Sequence, residues 1–137
     1  MLAQRSALVT GAAGFIGAHL AKRLLAEGWS VRVLVRDARR LPDSLRQSCE
    51  VVVADLSADA GLGEAVRGVE DIFHCAANVR TWDSRDSYRR DNVTAVANLL
   101  DAISRENPNL ARLVHFSTMD IYGFPSAPCS EADHPVE

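Results

Sequence analysis

The chain has 137 residues, of which 47% are apolar and 24% are charged, and its formal net charge is −3. This length predicts one domain, and the composition is typical of a soluble globular protein. The weak negative charge argues against a nucleic-acid partner and against an anionic membrane surface, and no apolar run approaches the roughly 20 residues of a spanning helix.

Three cysteines, Cys49, Cys75 and Cys129, lie far apart in the sequence and form no Cys-x-x-Cys pair. Their odd number and wide spacing argue against a disulfide framework and against a zinc site. We interpret them as small apolar residues of a reducing compartment, which predicts a cytoplasmic location. His74 and His115 lack the spacing of metal ligands, so no metal site is predicted.

The predicted elements alternate between strands and helices. Five short apolar or β-branched runs predict strands; they are SALVT (6–10), SVRVLVR (30–36), EVVVAD (50–55), EDIFHCAA (70–77) and ARLVHFST (111–118). Helices are predicted over 15–28 with Gly28 as the stop, in a short segment near Pro42, over 57–68 with Ser57 as the N-cap, and over 87–106, where Pro108 ends the helix.

Strands separated by helical segments predict βαβ units, and therefore a parallel sheet with helices on both faces. The residues expected on one side of the long helix are Val93, Val96, Leu99, Leu100 and Ile103. From Gly123 onward, prolines and small polar residues predict a loop. Because no linker or repeat interrupts the pattern, residues 1–137 are predicted to form one domain.

A glycine-rich stretch follows the first predicted strand and leads directly into the first predicted helix. It reads TGAAGFIG and places Gly11, Gly14 and Gly17 three residues apart. Gly11 is expected to adopt backbone angles that a side chain forbids. Gly14 leaves room for a pyrophosphate against the backbone, and Gly17 lets the helix lie close to the strand. Since free N–H groups at the start of the helix would hold the phosphates, the stretch predicts a dinucleotide-binding turn.

This turn resembles that of the extended short-chain dehydrogenase/reductases, which include nucleotide-sugar epimerases and dehydratases, 3β-hydroxysteroid dehydrogenases and dihydroflavonol reductases. Five stretches match motifs of that family in the family's order; they are TGAAGFIG (10–17), ADL (54–56), HCAA (74–77), DNV (91–93) and FSTMDIYG (116–123). The resemblance covers essentially the whole chain. It implies a Rossmann-type, doubly wound α/β fold with five parallel strands in the order 3-2-1-4-5.

The resemblance also assigns cofactor contacts to individual residues. Within the turn these are Gly11, Gly14, Phe15, Ile16 and Gly17. Asp55 would hydrogen-bond the adenine, and Leu56 would pack on it. Ala76 and Ala77 would pass beneath the cofactor, and Asn92 would brace the central sheet.

The choice between NAD and NADP depends on the end of the second strand. NAD sites usually carry Asp or Glu there to bind the ribose 2′-OH. In this chain that position falls on Val35, and Arg36 follows it, which favours a 2′-phosphate. VRVLVRD also resembles the second strand of the dihydroflavonol reductases. We therefore predict NADP, with NAD as the alternative if Asp37 takes the ribose hydroxyls.

The proton relay of the family consists of a Ser or Thr, a Tyr, and a Lys four residues after the Tyr. The resemblance places the first of these at Thr118, the candidate catalytic residue. Tyr-x-x-x-Lys does not occur in this sequence, in which the only lysine is Lys22. We therefore expect the chain to be the N-terminal part of a longer enzyme, without the sixth strand and the substrate-binding C-terminal region. Met119 and Asp120 replace the family's Asp–Glu elimination pair, which argues against a dehydratase.

The predicted function of the parent enzyme is hydride transfer between a nicotinamide cofactor and a small molecule with a hydroxyl/carbonyl pair. A nucleotide-sugar epimerase is the alternative within the enzymes, and a non-catalytic nucleotide-sensing module is the alternative outside them. Without the relay, this chain alone is expected to be inactive. The sequence leaves homo-oligomer formation open.

Overall fold

The structure is a computed structural model that describes residues 4–133. Five parallel strands form one sheet; they are β1 (Ser6–Thr10), β2 (Ser30–Val35), β3 (Glu50–Val53), β4 (Asp71–His74) and β5 (Arg112–His115). Their order is β3-β2-β1-β4-β5, which confirms the predicted doubly wound topology. The strand order reverses between β1 and β4, and in such sheets ligands bind outside the carboxyl ends of the strands at that reversal.

The helices lie in or next to the predicted segments of the chain, with different bounds. They are α1 (Phe15–Ala26), α2 (Asp43–Ser48), α3 (Leu62–Val66), α4 (Arg85–Arg89) and α5 (Ala95–Glu106). Short 3₁₀ turns span Ala38–Arg40 and Met119–Tyr122. Gly28, with φ at +83°, follows α1 as the predicted stop.

Two apolar layers cover the sheet because successive strand residues face opposite sides. One layer joins the sheet to α3 and α5; its fully buried members are Leu8, Leu62, Ala65, Val66, Ile72 and Ala102. The other joins β1 and β2 to α1 and α2; its fully buried members are Ala7, Val9, Ala12, Ala21, Val33 and Leu45. The sheet is therefore the middle of three layers, and its carboxyl edge stays open for a ligand.

The long predicted helix contains a wider turn. A π-helical turn, Arg90–Thr94, connects α4 to α5, so the helical segment starts at Arg85 rather than Ser87. Val93 and Leu100 do not belong to the buried side as predicted, since they are 56% and 44% exposed. Val93 lies within the π turn, whose wider period a sequence pattern with a constant period of 3.6 does not describe, whereas Leu100 lies in regular helix beside the buried Leu99.

The prediction that Ser57 caps the third helix is wrong. Helix α3 begins only at Leu62, after Gly61 with φ at +84°. Ser57 instead donates its backbone N–H and its hydroxyl to Asp55 Oδ1, at 2.9 and 2.8 Å. The serine therefore forms a local turn with a carboxylate two residues earlier, which competes with a role as N-cap.

A buried carboxylate stabilises the amino edge of the sheet. Asp71, 1% exposed at the start of β4, accepts a 2.7 Å hydrogen bond from Arg5 Nη2. The guanidinium of Arg5 also lies 3.9 Å above the ring of Trp29. Since a buried charge without its partner is costly, Arg5 ties the chain before β1 to β4 and, through Trp29, to the residue before β2.

Replacing Arg5 by glutamine is expected to lower the free energy of unfolding by about 1–3 kcal/mol, because the buried carboxylate of Asp71 loses its closest cation. The matched control is Arg23→Gln, which removes an exposed pair with Glu27 and should cost less than about 0.5 kcal/mol. Urea unfolding of the three proteins measures both values. Equal losses in the two variants would contradict the special role of the buried pair.

Candidate functional site

A cleft of about 600 Å³ lies at the carboxyl edge of the sheet. The glycine turn forms one wall, and the residues that follow β2, β3 and β4 form the floor and the other walls. All the residues predicted to contact a cofactor line this cleft except Asn92; they are Gly11, Gly14, Phe15, Ile16, Gly17, Arg36, Asp55, Leu56, Ala76 and Ala77. The fold thus brings together residues up to 66 positions apart in sequence.

The glycine turn has two positions at which a side chain would collide with backbone. Gly11 has φ at +71°, and a Cβ built on it would lie 2.7 Å from the backbone nitrogen of Ala76. A Cβ on Gly17 would lie 2.7 Å from the carbonyl carbon of Gly11 and 3.0 Å from the Cα of Ala12. Its nearest neighbours therefore belong to the turn itself, rather than to the strand as the sequence suggested.

Gly14 differs from the other two glycines because it borders open space. A Cβ on Gly14 would meet only the carbonyl oxygen of Gly11, at 3.3 Å. Gly14 is also the N-cap residue of α1, and no side chain caps that helix end. The first N–H groups of α1 thus face the cleft without side-chain acceptors, which is the arrangement that binds phosphate groups. The residues present fit the pyrophosphate of a dinucleotide.

At the end of β2, a guanidinium and a carboxylate lie side by side at the cleft. Arg36 is exposed, and its guanidinium makes no hydrogen bond or ion pair with any residue within 4–133. Asp37, in contrast, accepts from Arg39 Nε at 3.0 Å and from Arg39 Nη2 at 2.9 Å. These hydrogen bonds hold the pKa of the Asp37 carboxyl below its usual value. The cation is thus free for a ligand, while the carboxylate already has a partner.

The turn after β3 is held by a side chain of α5. Asp55 is exposed, and Leu56 is buried with part of its surface on the cleft. Asn98 of α5 donates from Nδ2 to the carbonyl oxygen of Leu56 at 3.0 Å. This hydrogen bond fixes the backbone of the turn that carries Asp55 and Leu56, the two predicted adenine contacts.

Asn92, in the π turn, supports the segment that follows β4. Its Oδ1 accepts from the backbone N–H of Asn78 at 2.7 Å, and its Nδ2 donates to the carbonyl oxygen of Asn78 at 3.0 Å. Asn92 therefore braces this segment, and not the sheet itself. Two further anchors hold the same loop: Asn78 Nδ2 donates to Asp83 at 2.8 Å, and the hydroxyl of Tyr88 donates to the carbonyl oxygen of Arg80 at 2.6 Å.

Thr118 lies in a second cavity of about 450 Å³, which adjoins the first because residues 76–80 line both. Its Oγ1 donates to Asp120 Oδ2 at 3.1 Å and accepts from the backbone N–H of Asp120 at 3.2 Å, so it caps the 3₁₀ turn that follows. Ser117, Asn92 and Tyr88 line the same cavity. The structure thus separates the predicted catalytic hydroxyl from the glycine turn by the segment after β4.

His74 lines the second cavity and is 2% exposed. Its Nδ1 lies 2.8 Å from the hydroxyl of Thr10, and its ring stacks on that of His115 with centroids 5.3 Å apart. Burial, and then the charge of the neighbouring His115, lower the pKa of His74 from 6.5 to about 4. His74 is therefore neutral at physiological pH. No group of three His, Cys, Asp or Glu residues within 4–133 is arranged to hold a metal ion.

Sequence analysis missed the roles of Asn78, Tyr88 and Asn98, which hold the loops that line the cleft. Their function is to satisfy backbone groups of loops, and such partners depend on packing that no motif records. One signal was present: Asn98 is a polar residue next to the buried Leu99 on α5, a position where a side chain can reach a loop.

Alanine at Gly17 is expected to reduce the free energy of unfolding by about 2–3 kcal/mol, because its Cβ would force the turn away from α1. Alanine at Gly14 is the matched control and should cost less than about 1 kcal/mol, since only one atom approaches it. Denaturant unfolding of both variants gives the comparison. A Gly14 variant that unfolds as readily as the Gly17 variant would contradict this view of the turn.

The low pKa of His74 predicts a specific pH dependence of stability. Between pH 6.5 and about 4 the unfolded chain binds a proton at this histidine and the folded chain does not, so stability falls as the pH is lowered. Within that window, His74 lowers the free energy of unfolding by up to about 1.4 kcal/mol for each pH unit of acidification. Above that window it adds no pH dependence. His74→Asn should flatten the profile, whereas the exposed control His19→Asn should not. Urea unfolding at pH 7 and pH 5 tests this, and parallel profiles for the wild type and His74→Asn would contradict it.

Comparisons with known proteins agree with this geometry. The NAD dependent epimerase/dehydratase family matches residues 7–137. The chain is 36% identical, over 84% of its length, to a putative dihydroflavonol 4-reductase of Synechocystis, and 32% identical, over 95% of its length, to a 2-alkyl-3-oxoalkanoate reductase of Stenotrophomonas maltophilia. It spans only 33% and 36% of these two relatives.

A solved structure, MoeE5 in complex with UDP-glucose and NAD, superposes with a TM-score of 0.81 at 34% identity; the match covers 96% of this chain and 42% of MoeE5. Within residues 4–133 no helix is both long and apolar enough to span a membrane. The matches extend over nearly the whole sequence and confirm the resemblance found in its motifs. This chain belongs to the NAD dependent epimerase/dehydratase family.

Proposed function

We propose that the chain binds NADP in the cleft beside the glycine turn and forms the cofactor-binding part of an oxidoreductase that acts on a small molecule with a hydroxyl/carbonyl pair. The observation that carries the proposal is the uncapped end of α1 beside Gly14, where a phosphate meets free N–H groups and no side chain. Residues 1–137 are proposed to form one dinucleotide-binding domain. A reducing, cytoplasmic location fits three cysteines that form no disulfide.

Each part of the cleft suits one part of the cofactor. The first turn of α1 would bind the pyrophosphate. Asp55 would accept a hydrogen bond from the adenine amino group, and Leu56 would offer its apolar surface to the adenine ring. Ala76 and Ala77, which lack bulky side chains, would leave space for the nicotinamide half along the segment after β4.

The preference for NADP is supported by the difference between Arg36 and Asp37. A guanidinium without a protein partner is a strong ligand for a 2′-phosphate. Both carboxylate oxygens of Asp37 already accept hydrogen bonds from Arg39, so the ribose hydroxyls of NAD would have to share them with Arg39. Arg40 also lines the cleft and adds a second positive charge on the same side.

When bound, the cofactor supplies or accepts the hydride. Thr118 would then exchange its hydrogen bond to Asp120 for one to the reacting oxygen of the substrate, holding that oxygen in the second cavity. A residue that delivers the proton is also required, and neither tyrosine of this sequence has a lysine four residues after it. We infer that the 137-residue chain binds the cofactor without turning over substrate.

A nucleotide-sugar epimerase is a second candidate for the parent enzyme. It is favoured by the similarity to MoeE5, which was solved with UDP-glucose and NAD. The reductases among the relatives, together with Arg36, favour NADP-dependent reduction. The two candidates therefore differ in cofactor preference, which can be measured on this chain.

Arg36→Glu is expected to weaken NADP binding by roughly ten- to a hundredfold, because a charge-assisted contact is worth about 1.5–3 kcal/mol and the new carboxylate repels the 2′-phosphate. NAD binding should change little. Isothermal titration of both dinucleotides against the wild type and the variant measures these affinities, and the preference for NADP should shrink as salt is added.

The control for this titration is Asp37→Ala, which leaves Arg36 in place. It should preserve NADP binding and leave NAD binding nearly unchanged. If Asp37→Ala weakens NAD binding while Arg36→Glu leaves NADP binding intact, the site is an NAD site. Wild-type protein that binds neither dinucleotide would overturn the proposed function.

A further inference from the structure

Three polar residues form a row across the carboxyl edge of the sheet. Thr10 of β1 is in register with His74 of β4, and His74 is in register with His115 of β5. Thr10 and His74 are both buried, on the side of the sheet that carries α3 and α5. The imidazole of His74 is thus fixed between a hydroxyl at one edge and a stacked ring on its face.

The hydrogen bonds of this row run in one direction. The backbone N–H of Ala76 donates to Thr10 Oγ1 at 3.2 Å, so that oxygen already accepts one proton. The hydroxyl proton of Thr10 then needs an acceptor, and His74 Nδ1, at 2.8 Å, is the one in reach within the described residues. With this hydroxyl direction, Nδ1 is the unprotonated nitrogen and the imidazole proton lies on Nε2, which is buried and has no hydrogen-bond partner within the described residues.

Ala76, the first donor in this series of hydrogen bonds, also contacts the glycine turn. The backbone nitrogen and Cα of Ala76 occupy the space into which a Cβ of Gly11 would project, at 2.7 and 2.9 Å. Any shift of Ala76 therefore changes the contact that supports Gly11. Because the turn leads directly into α1, its position sets where the N–H groups of α1 point.

We propose that His74 is a positioning residue for the dinucleotide site: as the final acceptor in the series Ala76 N–H, Thr10 O–H, His74 Nδ1, the neutral imidazole holds Ala76 against Gly11 and thereby fixes the phosphate-binding turn. His74 contacts no cofactor position and acts through Thr10. The inference rests on the proposed dinucleotide binding, and it adds a residue that connects the cofactor cleft to the wall of the Thr118 cavity.

Two pairs of variants separate positioning from general packing. Thr10→Val keeps the shape of the side chain and loses the hydroxyl, whereas Thr10→Ser keeps the hydroxyl. His74→Leu removes the acceptor, whereas His74→Asn keeps an acceptor oxygen at the place of Nδ1. In each pair, one variant lacks a hydrogen bond of the series and the other keeps it, at the same buried position. Urea unfolding of every variant measures the loss of stability separately from the loss of binding.

The expected result is that Thr10→Val and His74→Leu bind NADP roughly three- to tenfold more weakly, since one buried hydrogen bond limits the effect, while Thr10→Ser and His74→Asn stay within about twofold of the wild type. The double variant Thr10→Val/His74→Leu should bind no more weakly than the worse single variant, because both changes break one series. In NMR spectra of the wild-type chain, His74 should carry its proton on Nε2. The amide signals of Gly11 and Ala76 should shift further in Thr10→Val and His74→Leu than in the matched variants Thr10→Ser and His74→Asn.

The proposal is overturned if His74 is protonated on Nδ1, if the Gly11 and Ala76 amides respond equally in all four variants, or if NADP affinity follows the loss of stability regardless of the hydrogen bonds. Should a leucine or valine variant fail to fold, the imidazole spectrum of the wild type and the amide signals of the serine and asparagine variants still decide the matter. A wild-type chain that binds no dinucleotide would defeat the proposed function, while the NMR spectra would still test the hydrogen-bond series.

Discussion

The close approach of two backbones, at Gly11 and Ala76, is the constraint on which the rest of the site depends. It requires a glycine with positive φ at the end of β1 and a small residue after β4. With these segments in contact, the backbone of Gly11 and Ala12 lies close to residue 17. A Cβ at residue 17 would collide with it, so this position requires glycine. The result is a helix whose N-terminus lies at the reversal of strand order, open towards the cleft.

The cleft is kept in shape by polar side chains that bind loop backbone. Asn92 holds both backbone groups of Asn78, and Asn98 holds the carbonyl oxygen of Leu56. Both asparagines belong to the helical segment that packs under the sheet. Because these backbone groups find their hydrogen-bond partners on one helical segment, that segment helps to determine the position of two cleft-forming loops. The π turn that presents Asn92 is consistent with the frequent occurrence of such turns at functional sites.

Sequence reasoning predicted the alternating strands and helices from hydrophobic periodicity and the phosphate-binding turn from its three glycines, and it took the strand order and the other cleft residues from the family resemblance. It failed where tertiary packing decides between local alternatives. Ser57 bonds to Asp55 instead of capping α3, and Val93 is exposed because the π turn changes the helical period. The engagement of Asp37 by Arg39 was likewise invisible, although it bears directly on the choice of cofactor.

The central claim is that the carboxyl edge of the sheet, beside the glycine turn, binds a nicotinamide dinucleotide. An NMR titration of the 137-residue chain with NADP tests it most directly, because every backbone amide reports its own environment. The account predicts saturable shifts of the amides of Gly14 and Gly17, of Arg36 and of Ala77, with no change at Asp71 on the opposite edge. Absence of shifts, or shifts centred on the edge that carries Asp71, would contradict it.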